Sequence, residues 1–567
     1  MHFNDSIGSH KNLNVIYTHH EQSAAMAAEG EARISRKPGV VNVSTGPGGT
    51  NTLTGVAGAW IDSIPMLIIS GQVMKKDIGT DKGYRQLGVQ EANVIEMAKP
   101  VTKFCKTLKN PYDIEIILDK AIRISTEGKP GPVWIEIPLD VQSFNLDLKK
   151  IKKTKKKVNL KIKIELKQRN KILNLIKNSK KPLIITGYGI RSAKAEVEFN
   201  NFLKITKIPV ITSWNTIDLI PSNSKLNIGR CGVFGDRASN YAVQSSDLLI
   251  VLGSRMSTAQ VGYMDKMFSP KSKRIYVEIS KKELMKKTFK SDVKINMNVK
   301  DFLKDLNQIF RSRKFAGNFE KWKFRVNLLK QKYQTINEHK KKVSGYTNSF
   351  RFIDNLSKKL KSGDVVVTDM GTSFTCTMQA FRSKANQRLF TSSGLASMGY
   401  GLPATIGACI GVNKKRAVCV TGDGGLMFNI QEFQTIKHYN LPVKIFVIDN
   451  EGYLTQKLMQ IKNFRRYVGA HPKSGVSCPD LQEVAKSFKI KTSVIDSDKN
   501  QLEKISKVLV GNEPHVCIVK IPPMQSLTPR VVMSMNLDGS FKKTGLENVA
   551  PLLNEKEHKD NLKSLAF

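Results

Sequence analysis

Two short apolar runs, each ending in polar or glycine residues, constrain the fold of this chain more than any other feature. The run at residues 416–421 is followed by Gly422-Asp423-Gly424-Gly425, and the run at 443–448 ends at Asp449-Asn450. Runs of this length and punctuation are typical of buried parallel strands, and residues 429–439 between them have the pattern of a crossover helix. The segment therefore predicts an α/β fold with a parallel sheet.

The loops that follow these two strands carry donors suited to a metal ion and a phosphate group. Ligands of parallel sheets bind at the carboxyl ends of strands, and the 27 residues from Asp423 to Asn450 allow both to return to one edge. A carboxylate oxygen and an amide oxygen suit Mg²⁺. Gly424 and Gly425 let backbone N–H groups approach phosphate oxygens. For an isolated Gly-Asp-Gly, a tight turn is the alternative.

A second set of motifs occupies the first hundred residues. Residues 14–18 are predicted as a strand, and Glu21 opens an alanine-rich helix at 24–33. A strand at 40–44 runs into a glycine-rich loop that contains Pro47 and Asn51, and a strand at 65–70 ends at Gln72. Taken alone, Glu21 is explained as a first-turn acid favoured by the helix dipole, and the other three as turn residues.

In this order, the two sets resemble thiamine diphosphate enzymes of the acetolactate synthase group, over residues 12–522. The first set resembles their pyrimidine-binding domain, and residues 415–455 resemble their diphosphate-binding domain. The resemblance implies an α/β protein of three doubly wound parallel-sheet domains, with thiamine diphosphate and Mg²⁺ as cofactors. The implied activity is decarboxylation of a 2-oxo acid, pyruvate in the first instance, and carboligation of the product to a second carbonyl.

The resemblance also assigns roles to individual residues. Glu21 is expected to hydrogen-bond the aminopyrimidine and favour its imino tautomer, and Met398 to wedge between the two cofactor rings. Asp423, Asn450 and the backbone carbonyl of Gly452 are expected to bind the metal. Further cofactor contacts are assigned to Pro47, Asn51, Gln72, Gly371, Thr372, Ser373, Ala396, Gly424 and Gly425.

Length and composition set the predicted domain boundaries. The 567 residues are sufficient for three domains, and 40% hydrophobic with 25% charged residues is typical of a globular protein. We place the pyrimidine-binding domain at 1–147, a lysine-rich linker at 148–165, the central nucleotide-binding-like domain at 166–312 and a second linker at 313–344. The diphosphate-binding domain follows at 345–530, and a tail at 531–567.

The net charge of +43 allows a different class of function, that of a nucleic-acid-binding protein. The basic residues lack aromatic interleaving or a recognised binding module, which disfavours it. No stretch approaches the ~20 apolar residues of a membrane span. Seven scattered cysteines without a Cys-x-x-Cys pair fit a reduced, cytoplasmic protein. An inactive truncated homologue is a further alternative, because relatives have a strand, a helix and a Gly-x-Pro-Gly loop before the position of Glu21.

Three expectations concern partners and ligands. The family's site is shared between subunits, so the chain is expected to form a homodimer or homotetramer. In the central domain, Gly187, Gly189 and Gly253 fit a nucleotide site, but Met256-Ser257 replaces an acidic pair that is present in acetolactate synthases. The domain is therefore expected either to bind FAD or to keep only a structural remnant of a nucleotide site. In acetolactate synthases a tryptophan favours 2-oxobutyrate as the second substrate, and this chain has Met459 near the aligned position. A keto-sugar or aldehyde acceptor, in sugar or secondary metabolism, is therefore an alternative.

Overall fold

The computed structural model describes every position except 1, 154–162, 313–314, 316, 340–341, 536–537, 539–540, 544 and 567. Within the described residues, three parallel sheets of four, six and six strands follow one another along the chain. In each sheet, alternate strand residues enter two different hydrophobic clusters, so both faces are covered. Burial on both faces explains why these strands are continuous apolar runs. The predicted fold class is confirmed.

The first domain contains a sheet of strand order β1-β2-β4-β3. Its strands are β1 (Gly39–Val43), β2 (Met66–Gln72), β3 (Phe104–Thr107) and β4 (Pro132–Pro138). Its helices are α1 (His2–Ser9), α2 (Glu21–Ser35), α3 (Pro47–Asp62), α4 (Val94–Ala98), α5 (Ile114–Thr126) and α6 (Leu139–Gln142).

The middle domain has the strand order β10-β9-β8-β5-β6-β7. The order in which the chain adds strands changes side between β5 and β8: β6 and β7 follow β5 on one side, and β9 and β10 follow β8 on the other. Its strands are β5 (Pro182–Thr186), β6 (Val210–Thr212), β7 (Asn227–Arg230), β8 (Leu248–Leu252), β9 (Lys273–Glu278) and β10 (Val293–Asn296). Its helices are α7 (Leu166–Asn178), α8 (Gly189–Ser192), α9 (Glu196–Thr206), α10 (Arg237–Ser245), α11 (Thr258–Val261), α12 (Lys281–Leu284), α13 (Val299–Ser312) and α14 (Glu320–Lys332).

The third domain has the strand order β12-β11-β13-β14-β16-β15. Its strands are β11 (Val365–Thr368), β12 (Arg388–Phe390), β13 (Ala417–Gly422), β14 (Val443–Asp449), β15 (Lys491–Ile495) and β16 (His515–Lys520). Its helices are α15 (Ser349–Lys359), α16 (Thr372–Ala380), α17 (Gly401–Gly411), α18 (Asp423–Leu426), α19 (Glu432–His438), α20 (Leu454–Phe464), α21 (Leu481–Ser487) and α22 (Gln501–Leu509). The tail adds β17 (Met533–Met535), β18 (Phe541–Lys543) and α23 (Glu555–Ser564).

The prediction of a strand at residues 14–18 is wrong. This segment forms no strand and runs over the surface, with Tyr17 60% exposed. Its backbone is held by side chains of the third domain instead of by a neighbouring strand. The Tyr17 N–H donates to the Tyr439 hydroxyl (3.0 Å), and the His19 N–H donates to the Glu432 carboxylate (3.2 Å).

Both predicted linkers and the tail contain segments that bear on the domain boundaries. Residues 154–162 of the lysine-rich linker lie outside the described residues. The linker at 313–344 contains α14, whose Trp322 and Val326 are buried in the core of the middle domain. The tail joins the same core through Val549 and Leu565. The middle domain therefore draws part of its core from outside residues 166–312.

The first and third domains are packed closely through α2 and α17. A Cβ on Gly407 would lie 1.7 Å from the backbone oxygen of Ala27, and one on Gly30 would lie 2.2 Å from that of Ala404. Glycine is therefore required where the two helices cross. Among the described residues, no helix is long and apolar enough to span a membrane.

Candidate active site

Three neighbouring strands of the third domain deliver polar residues to one edge of the sheet. Thr368 on β11 pairs with Val420 on β13, and Gly422 on β13 pairs with Ile448 on β14. The loops that begin at Asp369, Asp423 and Asn450 therefore start at nearly the same height. In a parallel sheet this edge is where ligands bind.

Asp423 is buried at the start of α18, with its carboxylate fixed by two backbone N–H groups. Its Oδ1 accepts from Gly424 (2.9 Å) and its Oδ2 accepts from Gly452 (2.7 Å). Desolvation raises the pKa of Asp423 to about 6, although these two hydrogen bonds oppose the rise. Among the described residues Asp423 forms no ion pair, although the charge of Lys457 also opposes the rise, and a bound cation would stabilise the buried carboxylate further.

Asn450 follows β14, the strand next to β13, and has an unsatisfied oxygen. Its side-chain N–H donates to the hydroxyl of Thr372 (3.0 Å), which fixes the orientation of the amide. The residue is 2% exposed, and its Oδ1 has no hydrogen-bond partner among the described residues. Buried amide oxygens are rarely left unpaired. The donor set and this free oxygen fit a hard divalent cation such as Mg²⁺.

The segments predicted to contact a diphosphate are two helix N-termini and the glycines that precede or form them. Gly371 has φ +87°, and a Cβ there would meet nothing within 4 Å, so the loop before α16 faces open space. Thr372 and Ser373 form the first turn of α16, and Gly424 and Gly425 lie in α18. First-turn N–H groups lack intrahelical acceptors and bind anions.

Asp369 is a residue of this edge that the sequence analysis did not single out. Its carboxylate accepts hydrogen bonds from the N–H of Met370 (2.8 Å), the hydroxyl of Thr421 (2.9 Å) and the N–H of Gly399 (3.2 Å). One side chain thus connects the loops after β11 and β12 with the end of β13. Its position directly after a buried strand was the available signal. Burial raises its pKa to about 6.

Lys457 on α20 was also missed. Its ammonium group is buried and donates to the backbone oxygens of Asn450 (2.8 Å) and Glu451 (3.2 Å). It therefore holds the loop from which Asn450 and Gly452 project. A lone lysine seven residues after a predicted ligand carries no sequence signal for this contact.

The loop between β12 and α17 carries Ala396 and Met398. Ala396 has φ +60°, which is uncommon for a residue with a Cβ, and its N–H donates to the backbone oxygen of Ser392 (3.0 Å). Met398 is partly buried against the hydrophobic cluster that contains Met370 and Phe374. Both predicted residues therefore lie on a loop that Asp369 ties to the diphosphate segments.

In the first domain, the structure brings Glu21 and Asn51 together. Glu21 begins α2, and its carboxylate accepts from the side-chain N–H of Asn51 on α3 (3.0 Å). Pro47 is the first residue of α3, one turn before Asn51, and follows Gly46 with φ +58°. Pro47 at the first helical position leaves no backbone donor unpaired.

Gln72 reaches the same region through the loop before α3. Its side-chain oxygen accepts from the Thr45 hydroxyl (3.0 Å), and its side-chain N–H donates to the carboxyl of Glu136 (3.1 Å). Glu136 is buried on β4, and desolvation raises its pKa to about 7. Among the hydrogen bonds of the described residues, none links Glu21, Pro47, Asn51 or Gln72 to the third-domain residues predicted to bind the metal and the diphosphate. The chain thus presents two separate half-sites.

Comparisons with known proteins agree with this division. The family model "Thiamine pyrophosphate enzyme, N-terminal TPP binding domain" matches residues 1–97, the model of the central domain matches 169–306, and that of the C-terminal TPP binding domain matches 369–521. A probable acetolactate synthase large subunit of Methanocaldococcus jannaschii is 32% identical over 532 residues, covering 90% of this chain and 86% of that protein.

Two further relatives come from a bacterium and a plant. The acetolactate synthase isozyme 1 large subunit of Escherichia coli is 29% identical over 93% of this chain and 90% of its own length. Acetolactate synthase 2 of Nicotiana tabacum, a chloroplastic protein, is 28% identical over 93% of this chain and 78% of its own length. The chain therefore belongs to the thiamine pyrophosphate enzyme family, and within it to the acetolactate synthase large-subunit group.

Proposed function

We propose that this chain is a thiamine diphosphate- and Mg²⁺-dependent carboligase that decarboxylates pyruvate and joins the product to a second carbonyl compound. Membership of the family supports thiamine diphosphate-dependent decarboxylation and carboligation. The structural observation that carries the proposal is the unpaired, buried oxygen of Asn450, which follows β14 at the same sheet edge as the buried Asp423 carboxylate after β13. Together with the backbone oxygen of Gly452, these residues would hold Mg²⁺.

The chain's residues bind and orient the cofactor, which supplies the electron sink for carbanion chemistry when it is bound. The N-termini of α16 and α18 would hold its diphosphate through backbone N–H groups. Glu21 would hold a proton at the pyrimidine ring, and the hydrogen bond from Asn51 fixes the direction of its carboxylate. Met398, on its anchored loop, would pack against the cofactor and orient it.

The metal assignment is tested by two substitutions at one position. Asn450→Leu keeps the volume and removes the oxygen, whereas Asn450→Asp keeps an oxygen donor. We expect Asn450→Leu to weaken Mg²⁺-dependent thiamine diphosphate binding by about tenfold or more, in line with losses at metal sites, and Asn450→Asp to weaken it less. The measurement is fluorescence titration of the apoprotein at fixed Mg²⁺. Equal affinities for Asn450→Leu and the unmodified chain would remove Asn450 from the metal site.

We propose further that two copies of the chain share each active site. The rims of both half-sites carry exposed apolar side chains: Leu87 and Val89 in the loop that packs on Gly46, and Met427 and Phe428 directly after α18. Val89 is 88% exposed. Apolar side chains beside an incomplete site fit an interface between subunits of a homodimer or homotetramer.

Mixing inactive chains tests the shared site. Glu21→Gln and Asp423→Ala chains are each expected to be inactive, but a hybrid dimer contains one intact site. Random reassociation should restore about one quarter of the unmodified activity, because half of the dimers are hybrids with one good site of two. Mixed Glu21→Gln and Glu21→Asp chains serve as the control. No recovery despite demonstrated subunit exchange would refute the shared site.

A second acceptor class, a keto-sugar or aldehyde, is favoured by the cavity that opens beside Asp423. It has a volume of about 280 Å³; besides Asp423, the proposed metal ligand, it is lined by three further carboxylates, those of Asp449, Glu451 and Asp480, and by Lys520. Three carboxylates against one cation repel an anionic 2-oxo acid and favour a neutral molecule with hydroxyl groups. Product analysis from pyruvate alone and from pyruvate with dihydroxyacetone or glyceraldehyde decides between the two acceptor classes.

The middle domain offers a cleft that fits part of a dinucleotide. Its volume is about 350 Å³, and it lies at the carboxyl ends of β5 and β8, where the strand order reverses. Gly187 is required there, because a Cβ would lie 2.2 Å from the backbone oxygen of Gly253. The buried Glu278 at the end of β9 lines the cleft. Its carboxylate would replace the acidic pair whose positions are taken here by Met256 and Ser257. We propose FAD as the occupant. A purified protein without flavin absorbance near 450 nm, even after incubation with FAD, would refute this.

The cysteines bear on the compartment. All seven are free, and five of them are buried. Free buried thiols fit a reducing environment, and we propose the cytoplasm. Cell fractionation with an antibody against the chain tests this placement.

A further inference from the structure

A cavity of about 700 Å³ lies between the middle and third domains, away from the residues of the proposed active site. Its middle-domain wall consists of the loop at residues 221–225, Arg230 at the end of β7, and Lys330 on α14. Its third-domain wall consists of α15 and residues 379–385, which include the end of α16. A space of this volume matches the sites that hold small metabolites.

The cavity is strongly basic. Two carboxylates, of Asp236 and Asp354, line it with six cations: Lys225, Arg230, Lys330, Lys358, Arg382 and Lys384. Asp236 pairs with Arg230 (3.1 Å), and Asp354 pairs with Lys358 (2.6 Å) and with Arg382. In the part of the chain that the structure describes, Lys225, Lys330 and Lys384 have no carboxylate partner. The excess of four positive charges attracts an anion.

Two buried side chains of the wall have polar atoms without partners. Arg230 is 7% exposed and Gln379 is 4% exposed, yet Nε of Arg230 and Oε1 of Gln379 make no hydrogen bond with described residues. Leaving a buried donor or acceptor unpaired is costly, which makes these atoms candidates for ligand contacts. Arg230 also donates to the backbone oxygen of Gln379 (3.3 Å), across the domain boundary.

Backbone oxygens fix the position of the Lys330 ammonium, and no carboxylate among the described residues forms an ion pair with it. Its ammonium donates to the backbone oxygens of Ser222 (2.9 Å) and Asn227. Desolvation lowers its pKa to about 8; Asp236 opposes this shift, and Arg230 and Arg382 add to it. A bound anion would favour the charged ammonium.

Helix α16 connects this cavity to the proposed diphosphate site. Its first residue, Thr372, accepts the hydrogen bond from Asn450, and its last two residues, Gln379 and Ala380, line the cavity. A single nine-residue helix thus has one end in each site. Displacement of its C-terminal end is transmitted to the N-terminal turn, because a packed helix moves as a unit.

We propose that this interdomain cavity binds a small metabolite carrying two phosphate groups, and that binding is coupled through α16 to the affinity for thiamine diphosphate. Two phosphate monoesters carry a charge of about −3 to −4 at neutral pH, which matches the excess positive charge. This second site is independent of the acceptor chosen at the active site, and its binding test does not use catalysis.

The test uses the holoenzyme with saturating thiamine diphosphate and constant free Mg²⁺, and fructose 1,6-bisphosphate as the probe. Isothermal titration calorimetry should show saturable binding of one probe per chain, with fructose giving no signal. Lys225→Glu should weaken binding at least tenfold, because Lys225 is exposed at the rim and its substitution leaves the fold intact. Lys304→Glu, at another exposed lysine, on α13, is the matched control and should bind as the unmodified chain does. Lys330→Met should also weaken binding.

Each other outcome overturns a stated part of the proposal. Absence of binding, or equal weakening by Lys225→Glu and Lys304→Glu, would refute the site. Binding that disappears as thiamine diphosphate is raised would place the probe in the diphosphate site instead. The coupling is measured by titrating thiamine diphosphate into the apoprotein with and without the probe, where a several-fold change is expected. An unchanged affinity with proven probe binding would refute the coupling alone.

Discussion

Replacing Gly424 by alanine tests whether the packing of Tyr453 against the start of α18 is needed at the proposed cofactor site. A Cβ at this position would lie 2.3 Å from Cε1 and 2.9 Å from Cδ1 of the Tyr453 ring. Carbon atoms in contact are normally about 3.5–4.0 Å apart, so the ring has to move by more than about 1 Å. Tyr453 follows Gly452, whose N–H holds the Asp423 carboxylate, and movement of the ring therefore disturbs the loop proposed to bind the metal.

The expected cost follows from this overlap. Inserting a methyl group into a packed site costs about 1–3 kcal/mol, and the whole of it is expected to act on cofactor binding because both residues border that site. Since 1.4 kcal/mol corresponds to tenfold in affinity, thiamine diphosphate with Mg²⁺ should bind about 5- to 150-fold more weakly. The assay is titration of the apoprotein at fixed Mg²⁺, followed by intrinsic fluorescence.

Two variants isolate the steric cause. Gly422→Ala is the matched control, because its Cβ would meet only the backbone oxygen of Ile448, at 4.0 Å, and binding should change less than threefold, about 0.6 kcal/mol. Tyr453→Ala removes the ring, so adding Gly424→Ala to it should cost much less than Gly424→Ala alone. Unchanged affinity in Gly424→Ala, or fully additive losses in the double variant, would refute the steric account.

Three further substitutions probe the two half-sites and the sheet. Glu21→Gln should keep cofactor binding but slow exchange of the cofactor C2 proton on the order of a thousandfold, and NMR exchange as fast as in the unmodified chain would contradict the role of Glu21. Asp369→Asn leaves at least one of three donors without an acceptor and should destabilise the protein by about 1–3 kcal/mol in urea unfolding, whereas an unchanged midpoint would contradict its bridging role. Burial lowers the pKa of His515 to about 4, and the charges of Lys444 and Lys491 add to this shift. Below pH 6.5 the unfolded chain therefore binds a proton that the folded chain does not. The free energy of unfolding at pH 7.5 should fall by about 2 kcal/mol when the pH is lowered to 5. His515→Gln should lack this loss, and parallel pH dependences of the two unfolding free energies would contradict the assignment.

The sequence predicted the sheet of the third domain well, because strands buried on both faces are continuous apolar runs with polar ends. The runs at 416–421 and 443–448 differ from β13 and β14 by a single residue at one or both ends. The predicted strand at 14–18 failed because the segment has no neighbouring strand: Tyr17 is exposed, and Val15 and Ile16 are only partly buried. A pattern over five residues does not distinguish a strand from an extended segment held by side chains.

The polar contacts within each half-site were beyond the reach of the sequence for a different reason. Asp369 meets Gly399 and Thr421, 30 and 52 residues away, and such distances are set by the fold rather than by local pattern. The motif residues predict where the chemistry lies, but the residues that hold them were visible only in three dimensions. Lys457 illustrates this, because its role depends on two backbone oxygens and not on any side chain.

Unpaired buried atoms connect the active site and the interdomain cavity in one physical argument. A folded chain pairs nearly all of its buried polar atoms, so an unpaired one at the edge of a cavity or a predicted site is a position where a ligand or water can supply the partner. Oδ1 of Asn450 is such an atom at the end of β14, and Nε of Arg230 and Oε1 of Gln379 are such atoms at the opposite end of α16. If ligands pair with the free atoms at both ends of α16, each ligand stabilises this helix in the position that favours binding of the other ligand. Binding at one site must then change the affinity at the other by an equal factor, and this reciprocity is open to measurement from either end.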